Sequence, residues 1–165
     1  MLDLSGLQTS AKRLQIKNQK QPSRMKLPDT NVFLYSVNPL SPHHKQAALW
    51  LGDAFDGVQG VGLAWMALIG FIRLSTHPAI LSKPLSVTDA TSMVDDWLLH
   101  PRARLLHPTE RHFGILSRLL LVAGAAGNLT NDAHLAALGV EHSATVGSFD
   151  KDFKKFPGIK LDLLV

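Results

Sequence analysis

Short apolar runs alternate along the chain with segments whose apolar positions repeat every three to four residues. This alternation predicts βαβ units around a mostly parallel sheet. Residues 25–28 read as a first strand, and a short helix opens at Asp29 or Thr30. Pro39, Ser41 and Pro42 mark a turn, a second helix is expected over about 43–51, and the Gly- and Asp-containing stretch 52–60 reads as a loop. Residues 61–63 form a second strand that feeds a helix through Trp65, Leu68, Ile69 and Ile72, which His77-Pro78 stops. Thr88 is expected to cap a helix whose Ala90, Met93, Val94, Trp97 and Leu98 make one apolar stripe. A third strand follows at 104–106. Pro108-Thr109-Glu110 is then expected to start the longest helix, with Phe113, Leu116, Leu119 and Leu120 on its buried face. A short helix over 131–138, closed by Gly139 as a C′ glycine, leads into a fourth strand at 145–148.

This order of elements places Asp29 just after the first strand and Asp150 just after the fourth, with Asp132 opening the helix between the third and fourth. In a parallel sheet all three can converge at the carboxyl edge, where such folds bind ligands. Carboxylates brought together repel one another unless a cation neutralises them, and a hard divalent ion takes oxygen ligands. Each acid also has a plain structural role open to it. Asp29 and Asp132 can act as helix N-caps, and Asp150 and Asp152 as turn residues.

Composition narrows the picture. The 165 residues, 45% hydrophobic and 18% charged, suit one globular domain. No apolar stretch approaches the roughly 18 residues that span a membrane. Cysteine is absent, which excludes disulfides and thiolate metal sites and is compatible with a cytoplasmic location. The net charge of +4 is unevenly spread: five of the 17 basic residues but only one of the 13 acidic ones fall in residues 1–24, leaving 12 of each in the remainder. Residues 1–24 therefore read as a flexible basic extension without the apolar core of a secretory signal, and Met25 as the start of the domain. The eight histidines form no HExxH motif. An Asp-x-Asp phosphatase chemistry is disfavoured because position 31 is Asn.

Six blocks in order carry a family resemblance: LPDTNV at 27–32, SPHH at 41–44, FIRLSTHP at 71–78, HPTERHF at 107–113, GNLTNDAHLAALGVEH at 127–142 and FDKDFKKFPG at 149–158. In these the chain resembles the PIN-domain ribonucleases, and within them the VapC toxins of toxin–antitoxin pairs. The resemblance implies a three-layer α/β/α sandwich around a mostly parallel sheet, occupying residues 25–165. It implies a Mg²⁺ or Mn²⁺ site in which Asp29, Asp132 and Asp150 are the catalytic and metal-binding acids. Thr30, Asn31 and Asp152 would support them. It implies cleavage of single-stranded RNA, a VapB-type antitoxin as partner, a homodimer, and no membrane. The metal chemistry is sound in outline, since an ion held by carboxylates lowers the pKa of a water and offsets phosphodiester charge.

One departure stands out. The family's second acid is a Glu directly before the Phe that is here Phe71, and this chain has Gly70 in its place. An alternative reading follows, a catalytically impaired PIN module that binds RNA or antitoxin without cutting. Reinstating the acid as Gly70→Glu is expected to recover helix propensity as well as a ligand. Trp97 and Trp50 are the residues expected to offer exposed apolar surface for self-association.

Overall fold

The computed structural model describes residues 24–164. The basic extension expected over 1–24, apart from Arg24, lies outside the described residues. Strand β1 (Lys26–Pro28) leads into helix α1 (Thr30–Ser36) and α2 (His44–Asp56). Strand β2 (Val61–Leu63) is followed by α3 (Trp65–Ser75) and α4 (Val87–Leu99), and β3 (Ala103–Leu105) by α5 (His112–Ala123) and α6 (Leu129–Glu141). Strand β4 (Thr145–Ser148), a 3₁₀ turn (Lys151–Lys155) and β5 (Lys160–Leu163) complete the domain.

The five strands run in the order β3-β2-β1-β4-β5, every pair parallel. The chain steps outward from β1 to β3, then crosses back over the sheet to β4. Right-handed crossovers in opposite directions put helices on opposite faces, which makes the expected three-layer α/β/α sandwich. The reversal falls between β1 and β4, and the crevice beyond their carboxyl ends is the place where open α/β sheets bind ligands. Core packing is centred on Leu27, Phe33, Leu63, Leu68, Phe71, Leu135 and Val146. Phe33 and Phe71 close around Trp97, with ring centroids 4.5 and 4.9 Å from it.

Several boundaries differ from the sequence reading, each for a tertiary reason. Helix α2 runs on to Asp56, because the buried stripe of Ala47, Trp50, Leu51 and Ala54 continues past Gly52, which faces open space. Ser86, not Thr88, caps α4: its hydroxyl accepts from the Asp89 amide at 3.0 Å and donates to the Asp89 carboxylate at 2.7 Å. Helix α5 starts at His112 and is not the longest, having 12 residues where α2, α4 and α6 have 13. His112 turns inward, which rotates Phe113 out to 77% exposure. Gly139 does not end α6 but lies buried inside it. A Cβ there would stand 3.0 Å from Val146 Cγ2, so the glycine lets the helix lie flush on the sheet. Trp50 is buried, its ring against Gly147 and its indole N–H donating to Asp162 at 2.9 Å, and Trp97 packs into the aromatic core. Trp50 therefore supplies no exposed apolar surface, and Trp97 only a half-buried one. The sequence reading missed β5, whose half-buried Leu161 and Leu163 follow the turn at Pro157-Gly158.

Candidate active site

Pro28 ends β1 at the point where its register partner is Gly147 of β4. Asp29 follows, its amide donating to the Gly147 carbonyl at 2.9 Å. Its carboxylate is turned into the crevice and is only 9% exposed. Oδ1 accepts from the Thr30 amide at 2.6 Å, making Asp29 the N-cap of α1. Oδ2 accepts from Asn31 Nδ2 and from the Ser148 hydroxyl, both at 2.7 Å. The capping role open to Asp29 is thus realised, and the cap fixes the carboxylate in the crevice.

Around it the strand end is tightly tied. Asn31 Nδ2 also donates to Ser148 Oγ at 3.0 Å, and Asn31 Oδ1 accepts from the Phe149 amide at 3.1 Å. Ser148 Oγ accepts in turn from the Asp150 amide at 2.9 Å. Asp150 Oδ1 accepts from the Asp152 amide at 2.8 Å, and Asp152 holds Lys155 in an ion pair at 2.8 Å. Asn31 thus reaches Asp29 through its side chain, and Asp152 reaches Asp150 through its backbone amide. Thr30 takes a different position: its side chain turns away from the acids toward α3, where its hydroxyl donates weakly to the Ala67 carbonyl at 3.4 Å. Ser148, fully buried and bonded to Asp29, is a member of the site that sequence reasoning missed. A polar residue ending an otherwise apolar strand beside Asp150 was the available signal.

The electrostatics link Asp132 to this group. Burial raises the Asp29 carboxyl above the ordinary range, the Asp150 charge adds to the rise, and the bonds from Ser148, Thr30 and Asn31 work against it. Asp132, in the first turn of α6, is pushed up to about 7, by burial first and then by the charges of Asp29, Asp150 and Asp152. Lys155 alone opposes that rise. Counting lone pairs, Asp29 Oδ1 and Asp150 Oδ2 keep acceptor capacity free of the bonds described above. Three oxygen donors with unrelieved repulsion suit a hard divalent ion. They are not drawn into a closed cage, since among the described residues no three His, Asp or Glu side chains stand at metal-binding spacing.

Gly70 lies on the face of α3 that meets α1. A Cβ built there would come within 2.6 Å of Thr30 Oγ1 and 2.9 Å of Thr30 Cγ2. The Thr30 side chain thus fills the space through which an acid at position 70 would leave the helix.

A second polar cluster lies between α5 and α6. The His112 Nδ1–H donates to Glu141 Oε2 at 2.6 Å, and His112 Nε2 is 2.8 Å from His134 Nδ1. Glu141 Oε1 accepts from the Thr109 amide at 3.0 Å and from the Thr109 hydroxyl. Burial pushes the Glu141 carboxyl up, but the bonds from Thr109 and His112 together hold it below its ordinary value. His134 is held low by burial and by His112.

The parallel five-stranded sheet with acids at its switch point has counterparts among known proteins. The PIN domain family model matches residues 26–159, and the chain belongs to that family. Ribonuclease VapC37 of Mycobacterium tuberculosis is 48% identical over 138 residues, covering 84% of this chain and 96% of that protein. Ribonuclease VapC33 of the same species is 40% identical over 136 residues, covering 82% and 95%. The fold matches that of VapBC2 from Rickettsia felis bound to a promoter DNA fragment, with a TM-score of 0.59 at 18% identity, covering 85% of this chain and 98% of that one. It also matches FitAcB from Neisseria gonorrhoeae, with a TM-score of 0.55 at 18% identity over 83% and 96%. The expected kinship with PIN-domain ribonucleases of the VapC type holds along the body of the chain.

Proposed function

We propose that this protein is a metal-dependent endoribonuclease toxin that cuts single-stranded RNA in the cytoplasm and is neutralised by a VapB-type antitoxin. The observation that carries the reading is Asp29, held by Asn31 and Ser148 at the sheet's switch point beside Asp132 and Asp150. A bound Mg²⁺ or Mn²⁺ would supply an acidified water and offset charge on the phosphodiester. Asp29, Asp132 and Asp150 would hold it. Asn31 and Ser148 orient Asp29 by occupying Oδ2, which leaves the second lone pair of Oδ1, beside its bond from Thr30, as the open ligand position. Asp132, whose carboxyl burial and the neighbouring acids push up to about 7, would be the acid that α6 contributes to such an ion. Lys151 and Lys154, exposed on the 3₁₀ turn, are placed to meet backbone phosphates.

The protein is further read as a homodimer, with residues 1–24 an extension beyond the catalytic domain. Exposed Phe113, Leu121 and Val122 on α5 and Trp65 and Ile69 on α3 are apolar surfaces that such association could use. No helix among the described residues is long and apolar enough to cross a membrane. One observation favours the second reading, a module that binds without cutting: Thr30 packs against Gly70, so no acid reaches the crevice from that position. A single assay separates the two. Incubation with single-stranded RNA and Mg²⁺ or Mn²⁺ should yield cleavage that EDTA stops, whereas gel-shift without cleavage under every metal would establish the binding module.

A further inference from the structure

Three aromatic rings stand at the same end of the domain as the acids. Tyr35 lies near the end of α1, His43 in the turn before α2, and Phe149 directly after β4. Their centroids are 5.2 Å apart for Tyr35 and His43, 5.1 Å for Tyr35 and Phe149, and 4.7 Å for His43 and Phe149. All three residues are half-buried, so the cluster, with Phe149 packed against the edge of the core, still presents ring surface to solvent.

The cluster is registered to the acids by direct bonds. Asn31 and Tyr35, four residues apart, share one face of α1. On that face Asn31 donates to Asp29 and accepts from the Phe149 amide, so one side chain ties the reactive carboxylate to the backbone that carries the ring. Phe149 sits between Ser148, which bonds Asp29, and Asp150. His44 Nδ1 lies 3.0 Å from the Tyr35 carbonyl and fixes the turn bearing His43 against the end of α1. Tyr35 lies six residue steps along the helix from Asp29, a rise of roughly 9 Å, which a nucleotide adjoining the scissile phosphate can bridge.

We propose that Tyr35, His43 and Phe149 form a stacking platform for an unpaired base of the RNA substrate, next to the phosphate that is cut. This rests on the ribonuclease reading above. Every base has a π-face, so ring stacking holds single strands without demanding a sequence. The exposed Lys151 and Lys154 just beyond Phe149 give the neighbouring phosphates a cationic surface where the acids would otherwise repel the strand.

The test uses the full chain and a single-stranded RNA carrying 2-aminopurine at successive positions. Stopped-flow fluorescence should show quenching at one position near the cut. Phe149→Leu, which keeps apolar volume without the ring, should relieve that quenching and raise KM about tenfold with kcat and melting temperature unchanged. An abasic nucleotide at the quenched position should cost the wild type the same factor and cost Phe149→Leu nothing further. His43→Gln, in the turn before α2, should show the same coupled loss and keeps the test decisive if Phe149→Leu does not fold. If the wild type binds without cutting, anisotropy supplies the affinities in place of KM. Cleavage by the wild type with no quenching at any position, or a variant KM equal to the wild type's, overturns the platform and leaves the ribonuclease standing. A wild type that neither binds nor cuts RNA overturns both.

Discussion

Helix α6 carries two polar clusters that answer opposite electrostatic problems. In its first turn Asp132 feels the charges of Asp29, Asp150 and Asp152, with Lys155 opposing them, and its carboxyl rises to about 7. At its far end Glu141 takes hydrogen bonds from His112 and Thr109, and its carboxyl falls below the ordinary value. Both acids feel burial, which raises a carboxyl in either place. Their partners make the difference. Glu141 is compensated by donors within the chain and acts as a structural tie between α5 and α6. Asp132 instead faces like charges, which push its carboxyl up further than burial alone. The contrast teaches that position on the same helix says little about a carboxyl's environment, which is set by the partners that burial leaves it.

The contrast breaks most sharply at Asp29. Replacing it with Asn keeps the cap geometry but removes the free carboxylate donor, so RNA cleavage should fall to background while the melting temperature holds or rises. Asn31→Ala and Ser148→Ala should each reduce cleavage by about 10–100-fold, because they release the orientation of Oδ2 without removing a ligand. Full activity in Asp29→Asn would remove the acids from the reaction.

Cation binding gives the next effect. A divalent ion at about a hundred times its Kd should stabilise the fold by about 2.7 kcal/mol, read as a rise in melting temperature with Mn²⁺ that EDTA reverses. The pH dependence has a definite sign. A carboxyl raised in the folded state contributes stability that is present below its unfolded value near 3.8 and is lost as pH rises through about 7. The metal-free protein should therefore lose stability toward pH 8, the ion should stabilise it more at pH 8 than at pH 5, and Asp132→Asn should flatten the slope. A metal-free stability that climbs steadily from pH 5 to pH 8 would contradict the repulsion.

The fastening responds the other way. Glu141→Gln should cost about 2 kcal/mol, the worth of a hydrogen bond to a charged group, and lower the melting temperature by roughly 4–8 °C. RNA cleavage per folded molecule should be unchanged. Here the folded carboxyl is lowered, so its contribution is present above the unfolded value near 4.5 and is lost as pH falls through the folded one. His134, also lowered, adds to acid lability because its neutral form is favoured in the fold. Acid unfolding monitored by circular dichroism should thus begin at higher pH in the wild type than the composition alone implies, and Glu141→Gln should remove part of that transition.

These two clusters were unequally legible in the sequence. The acids stood out because each follows or opens an element whose apolar pattern is clear, and topology then brought strand ends together. The His112–Glu141–His134 chain joins residues 29 and 22 positions apart on separate helices, and no local pattern announces it. Its inward His112 also set the phase of α5, which explains why Phe113 was misplaced. Strand β5 escaped notice because it is a four-residue edge strand with only partial burial. Gly139 and Gly52 look like helix breakers in isolation, yet packing on the sheet and continuation of a buried stripe override them.

The smallest effect, and the most discriminating, concerns position 70. The sequence alone suggests that Gly70→Glu should gain helix propensity, but its Cβ would stand 2.6 Å from Thr30 Oγ1. Thr30 must then move, and Thr30 lies directly after Asp29 and donates its amide to Oδ1. The single substitution should therefore gain less than the ~1 kcal/mol that leaving glycine offers in a helix, and can fall below the wild type. Thr30→Ala removes both clashing atoms and keeps the amide. In that background Gly70→Glu should regain stability and bring a fourth carboxylate toward Asp29, tightening Mn²⁺ binding measured by calorimetry. Gly70→Gln in the same background is the control, matching size and propensity without charge. If the Glu and Gln forms bind Mn²⁺ equally, the acid is not what position 70 lacks. If only the Glu form binds more tightly and cuts faster, Thr30 and Gly70 together are the reason this site works with three acids.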